Sequence, residues 1–269
     1  MKVYIAGSYF KGITKHLENL RRLDSYFYIK SEKDIEKREP IIDWFLDSGA
    51  FSAWNLKKPI TIEAYGDFID QHKHNFDVYA NLDAIGDPLQ TQKNQEYLES
   101  RGLNPLAVFH YGEDVSILKS YMGKYEYIAF GGMVPISTKQ LTHWLDDMFD
   151  IVCNEKGEAK IKVHGFGMTT RTLIRRYPWY SIDSTSAVLS AAMGRIFSDR
   201  GDVDLSRKGG RIPLATQQFV ETYMPEYKLE DLCNDYKARM IYNVKYFQKL
   251  EKELTENPPR WIRKQMKLL

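Results

Sequence analysis

The feature that most limits how this chain can fold is an alternation of two sequence patterns. Short apolar, strand-like runs occur at residues 1–7, 41–46 (IIDWFL), 76–82 (FDVYANL), 105–110 (PLAVFH), 125–130, 160–163 and 179–183. Several are followed by a turn and a helical pattern. Residues 61–75 place Ile62, Tyr65, Phe68 and Ile69 on one face. Residues 137–150 open on a capping-box pattern, Ser137-Thr138-Lys139-Gln140, and carry Leu141, Trp144, Leu145 and Met148 at helical spacing. Strands that alternate with helices pair in parallel, because the helix is the crossover that returns the chain to the same edge. At 269 residues the length suits one α/β barrel of roughly 250. The expected fold class is therefore α/β: a (β/α)8 TIM-type barrel over residues 1–213, with a helical C-terminal extension over 214–269 packed on it. The eighth strand is not evident. Residues 12–23 read as helix, and residues 229–254 as one long amphipathic helix.

Composition narrows the partners. Thirty-eight basic residues stand against 36 acidic ones, so any attraction for nucleic acid must come from local patches. No run of about 18 apolar residues predicts a membrane helix. The opening MKVYIAG enters a strand pattern with no signal-peptide layout. The two cysteines, Cys153 and Cys233, are far apart, which fits a reducing compartment and offers no zinc or iron–sulfur spacing. A cytoplasmic protein (in host cytoplasm, if viral) with no zinc subdomain is the expectation.

The chemistry-bearing residues sit where the strand runs end. Asp47 closes the second run, Asp83 the third, His110 the fourth, Gly131-Gly132 the fifth, Gly165-Phe166-Gly167-Met168 the sixth and Asp183 the seventh. One aspartate at a strand end is usually a turn former or cap, but six such groups on successive ends of a parallel barrel point to a site at its C-terminal face. Two carboxylates on buried strand ends suit covalent or acid–base chemistry at a sugar carbon. A barrel glycoside hydrolase using Asp47 and Asp183 fits that pattern, and so does a barrel that only binds.

The segment Asp47-Ser48-Gly49-Ala50-Phe51 resembles the DSGGF/Y motif of the tRNA-guanine transglycosylases, with Ala50 in place of the second glycine. Gly131-Gly132-Met133 resembles that family's GGL turn, and Gly165-Phe166-Gly167-Met168 its glycine-rich turn beside the base pocket. The match covers roughly residues 41–195. It implies an enzyme that exchanges guanine in a nucleic acid for a 7-deazaguanine through a covalent aspartyl–sugar intermediate, with no cofactor and no metal. By resemblance Asp183 is the nucleophile and Asp47 the general acid/base. Substrate-binding residues would be Ser48, Gly49, Phe51, Asp83, His110, Gly131, Gly132, Gly167 and Met168. Asp83 would accept from the guanine N1–H and amino group, and Phe51 and Met168 would sandwich the ring. His110 stands where the family usually has glutamine.

The family's C-terminal motif of three cysteines and a histidine is absent, and the chain is shorter than the usual tRNA enzyme. Both features resemble the compact, phage-type branch that inserts 7-deazaguanines such as preQ0 into DNA. The implied partners are DNA first and tRNA second, with a free 7-deazaguanine base and an accessory protein as a further candidate. Nucleic-acid contacts are expected from Arg195, Arg207, Lys208 and Arg211, and from the tail, Arg260-Trp261-Ile262-Arg263-Lys264.

Overall fold

The computed structural model describes residues 1–7, 12–29, 34–35, 41–134, 136–205 and 211–263. Eight parallel strands run through it: β1 Lys2–Ala6, β2 Arg21–Ser25, β3 Asp43–Asp47, β4 Val78–Tyr79, β5 Ala107–His110, β6 Tyr127–Gly131, β7 Lys162–Gly165 and β8 Ser181–Ser184. Their spatial order is β4-β3-β2-β1-β8-β7-β6-β5. The two ends of that order meet at a parallel bridge between Ala80 and Leu106. Asn81 N–H donates to the Leu106 carbonyl at 3.0 Å, and Leu106 N–H donates to the Tyr79 carbonyl at 2.8 Å. The strands thus follow one another round a ring in chain order, the TIM-type (β/α)8 arrangement.

The eighth strand is β2, which begins in the last residues of the segment read from sequence as helix. Its sequence, RRLDS, carries one buried apolar residue, Leu23. Three of its polar residues have partners. Arg21 reaches Asp43 and Glu251, Arg22 pairs with Asp24, and Asp24 accepts from the Trp44 indole at 2.8 Å.

The helices follow their strands. They are α1 Ala50–Asn55 and α2 Ile62–His72 after β3, α3 Pro88–Ser100 after β4, α4 Val115–Lys124 after β5, α5 Thr138–Val152 after β6, α6 Arg171–Arg176 after β7 and α7 Ser186–Ala192 after β8. The Ser137 hydroxyl caps α5, accepting from Gln140 N–H and donating to its side-chain oxygen. A short antiparallel pair, β9 Arg195–Ile196 with β10 Val203–Asp204, leads to α8 Leu214–Tyr223, α9 Leu229–Asn234 and α10 Tyr236–Glu256. The single helix expected over 229–254 is two, because the chain is extended at Asp235, whose side chain then caps α10 through Lys237 N–H.

Period-two alternation sorts the strand residues. Tyr4, Ala6, Leu23, Phe45, Ala80, Leu106, Val108 and Ala129 fill the barrel interior as one apolar cluster. Their neighbours in sequence pack outward against the helices. On α10, Met240, Val244, Phe247 and Leu250 join that outer layer, each contributing roughly 1.5–3 kcal/mol by burial. Asn243 ties α10 to the chain after β8: it accepts from Phe197 N–H and donates to the Ala187 and Arg195 carbonyls. The N-terminal end of the barrel is closed by charge. Asp43, almost fully buried, receives Lys2, the Tyr4 hydroxyl at 2.7 Å and Arg21 at 2.9 Å.

Candidate active site at the C-terminal mouth

Asp47 ends β3 and is held there by the turn that follows. Gly49 N–H donates to Asp47 Oδ2 at 3.0 Å. Gly49 has φ 79°, and a Cβ on it would stand 2.1 Å from Ser25 Oγ and 2.5 Å from Phe27 Cβ. Only glycine fits a left-handed position so crowded. Ala50 needs no such freedom, since it is the first residue of α1. Ser48 is buried, its hydroxyl accepting from Ala50 N–H within the same turn. Burial raises the Asp47 carboxyl to about 7, with help from the charges of Asp183 and Asp83; the N–H groups of Gly49 and Ser48 pull the other way. The charges of Asp83, in the turn after β4, and of Asp183, on β8, therefore both reach Asp47.

Asp183 is buried on β8. Both of its hydrogen bonds fall on Oδ1, from Gly167 N–H at 2.8 Å and from His164 Nε2 at 3.3 Å. Oδ2 is left for a ligand. Asp83 and His110 form the opposite wall. His110 Nδ1 and backbone N–H both engage Glu113, at 3.0 Å each. Its Nε2 lies 3.1 Å from Asp83 Oδ2 as an ion pair. Asp83 Oδ1 is buried without a hydrogen-bond partner, and His110 Nε2 has no partner beyond this ion pair. Burial works against the imidazolium, but Asp83 and Glu113 prevail and raise His110 to about 10. His110 is a cation at neutral pH.

Gly131 closes this wall. A Cβ there would lie 2.8 Å from Val108 Cγ1 and 3.1 Å from His110 Cδ2, so the glycine makes room for the His110 ring. Gly132 follows directly in the turn. At the rim Phe51 is exposed, its ring 6.3 Å from that of the more exposed Trp54.

Two expectations need correction. Met168 does not sandwich a ligand ring: it is 2% exposed and packs in the outer layer. Its place beneath the mouth is taken by Phe166, which packs against the barrel interior. The described cations of the tail do not stand free. Arg263 pairs with Asp147 and Asp150, Arg260 with Glu158, and the buried Trp261 donates to Asp150 at 2.8 Å. Lys264 lies outside the described residues. Of the arginine segment, Arg195 and Arg211 are exposed, while Arg207 and Lys208 lie outside the described residues. Asp199 and Asp202 of that segment are taken up by Arg175 and Arg171 on the barrel.

Sequence reasoning missed Glu113, His164, Ser181 and Tyr127. Only strand parity could have pointed to the last three, which share the inward side with Asp183. Among the described residues no group of three or more His, Cys, Asp or Glu could hold a metal ion, and no described helix is long and apolar enough to cross a membrane. No known family model matches the chain, and no curated protein matches it.

Proposed function

We propose that this chain is a pentosyltransferase that exchanges guanine in a nucleic acid, DNA in the first instance, for a 7-deazaguanine base. The observation that carries the reading is the buried His110–Asp83 pair, Nε2 to Oδ2 at 3.1 Å with Asp83 Oδ1 left without a hydrogen bond, close enough to Asp47 that the Asp83 and Asp183 charges raise its carboxyl. An imidazolium N–H beside a carboxylate oxygen is complementary to a lactam edge. The hydrogen goes to the O6 carbonyl, and the oxygen accepts from N1–H. Buried polar groups left unpaired are costly, so a base presenting that edge gains where other groups would not.

The carboxylates then divide the work. Asp183 Oδ2 attacks the anomeric carbon as the bond to the base nitrogen breaks, giving an aspartyl–sugar ester through an oxocarbenium-like state. Asp47, with its pKa near 7, gives its proton to the departing guanine. As a carboxylate it then takes the corresponding proton from the incoming base, whose nitrogen displaces Asp183. A pKa close to working pH is what a group that must both give and take a proton requires. Phe51 at the rim offers a face for stacking, worth roughly 1–3 kcal/mol. If the substrate is duplex, the guanine must leave the stack to reach this depth. The choice of DNA over tRNA rests on the compact, phage-type resemblance and on the two isolated cysteines.

The test is base exchange. Protein is incubated separately with DNA and with tRNA, plus a 7-deazaguanine, and digested nucleosides are read by mass spectrometry. Modified deoxynucleoside is expected, lost in Asp183→Asn while nucleic-acid binding persists. Ribonucleoside product alone would move the substrate to tRNA. Exchange that survives Asp183→Asn would remove the nucleophile, and cleavage of aryl glycosides without exchange would replace the reading with glycoside hydrolysis.

A further inference from the structure

His164 is an imidazole with no exposed surface, and the exchange chemistry just described gives it no part. It lies on β7, turned into the barrel. Phe45 and Phe166 pack on it with centroids 4.7 and 4.6 Å away, and Tyr4 stands edge-on at 6.1 Å. A polar ring in such apolar surroundings is costly unless both nitrogens are bonded. Both are. Nε2 faces Asp183 Oδ1 at 3.3 Å, and Nδ1 faces Ser181 Oγ at 2.7 Å. Ser181 Oγ in turn lies 2.6 Å from the Tyr127 hydroxyl.

The ends of this chain settle every proton in it. Asp183, as the attacking carboxylate, can only accept, so His164 Nε2 carries a hydrogen. Burial lowers the imidazole pKa, against the pull of Asp183, so the ring is neutral and Nδ1 is a lone pair. Ser181 must then donate to Nδ1. Its oxygen has only lone pairs left, so Tyr127 donates to Ser181. Tyr127 is partly buried at the start of β6, and Ser181 and His164 have no exposed surface. A one-directional row of hydrogen bonds therefore runs from the N-terminal part of the barrel to the carboxylate at its mouth.

We infer that His164, locked as the Nε2–H tautomer by Ser181 and Tyr127, is the positioning residue that holds Asp183 with Oδ1 engaged and Oδ2 presented to the sugar. The inference rests on Asp183 being the nucleophile. Gly167 N–H alone would hold Oδ1 from one direction. The second donor, from a ring boxed on three sides, holds the same oxygen from another and narrows the swing of the carboxylate. A carboxylate that must meet a carbon along one line is sensitive to such freedom, since misplacement by about 1 Å costs on the order of a hundredfold.

Two readouts test the inference. Side-chain nitrogen NMR near neutral pH, with the His164 signal assigned by its loss in His164→Gln, should show the neutral Nε2–H tautomer in the wild type. Ser181→Ala, which keeps the ring and removes its acceptor-side lock, should mix the tautomers. An Nδ1–H tautomer or an imidazolium in the wild type overturns the lock. The second readout is single-turnover formation of the covalent sugar adduct without incoming base. His164→Phe should lower its rate about a hundredfold with nucleic-acid affinity unchanged. His164→Gln, whose side-chain N–H can again reach Asp183, should recover to within about tenfold of the wild type. Equal rates for Phe and wild type, or for Gln and Phe, with circular dichroism confirming that the variants fold, overturn positioning. A wild type that shows the tautomer but forms no adduct overturns the reaction assigned to the mouth, and leaves the lock standing.

Discussion

Removing the Asp47 charge should make the protein more stable as pH rises, while abolishing its chemistry. Asp47 titrates at about 7 in the fold, against 3.8 for the free side chain. Between those values the folded state holds a proton that the unfolded chain releases, so the stability present below about pH 4 is lost progressively as pH climbs through 7. At about 1.4 kcal/mol per pH unit, the gap of roughly three units amounts to about 4 kcal/mol. Linkage places about 1.7 kcal/mol of that loss below pH 5 and a further 2.6 between pH 5 and 8. Asp47→Asn is neutral throughout, and its amide oxygen can still accept from Gly49 N–H. It should therefore exceed the wild type by about 1.5 kcal/mol at pH 5 and by up to about 4 at pH 8. Urea unfolding at the two pH values measures both differences. A difference that is the same at pH 5 and pH 8 would refute the raised carboxyl, and with it the acid/base assignment. Activity supplies an independent check, because removal of the first base needs protonated Asp47, and its rate in the wild type should fall above about pH 7.

Three further outcomes follow from the same geometry. Gly49→Ala should cost about 1–3 kcal/mol for the left-handed backbone alone, with overlap on Ser25 and Phe27 added. It should lower exchange more than Asp47-independent binding, measured by denaturation and by the exchange assay. Glu113→Gln removes one of two carboxylates facing His110, so the His110 pKa should fall from about 10 toward the ordinary histidine range, as followed by NMR titration. The stability contributed by the His110 charge, present below the usual histidine pKa and lost as pH rises through about 10, should shrink with it. Asp43→Ala strips the partner from Lys2, Tyr4 and Arg21 and should destabilise by about 3–5 kcal/mol, with exchange per folded molecule nearly unchanged.

The sequence is legible where period and polarity agree. Runs such as PLAVFH and YEYIAF are apolar enough to declare strands, and their ends place Asp47, Asp83, His110, Gly131 and Asp183 at one mouth. Strand β2 was hidden because it carries a single apolar residue and Arg21 is satisfied by partners distant in sequence, Asp43 and Glu251. No local pattern announces such a partner. The Arg260–Arg263 tail read as free charge for the same reason, since Asp147, Asp150 and Glu158 meet it only in space. Met168 and Phe166 exchanged places because in a turn full of glycine the alternation of the strand no longer says which side chain faces inward. His164 falls just past the strand run of 160–163 in the sequence but inside β7 in the fold, and its meaning comes only with Ser181 and Asp183 beside it.

The two ends of β3 show how one barrel serves stability and chemistry with the same residue type. Asp43 and Asp47 are four positions apart on the same strand and face the same interior. At the N-terminal end Asp43 receives an ammonium, a guanidinium and a phenol hydroxyl, and its charge is compensated. At the C-terminal end Asp47 is faced by two more carboxylates and has two backbone N–H groups in its favour, a balance that leaves it near pH 7. The only cation described in that wall, His110, is held by Asp83 at Nε2 and by Glu113 at Nδ1. Neutralising Asp47 with a nearby lysine or arginine would stabilise the fold and remove the proton the reaction uses.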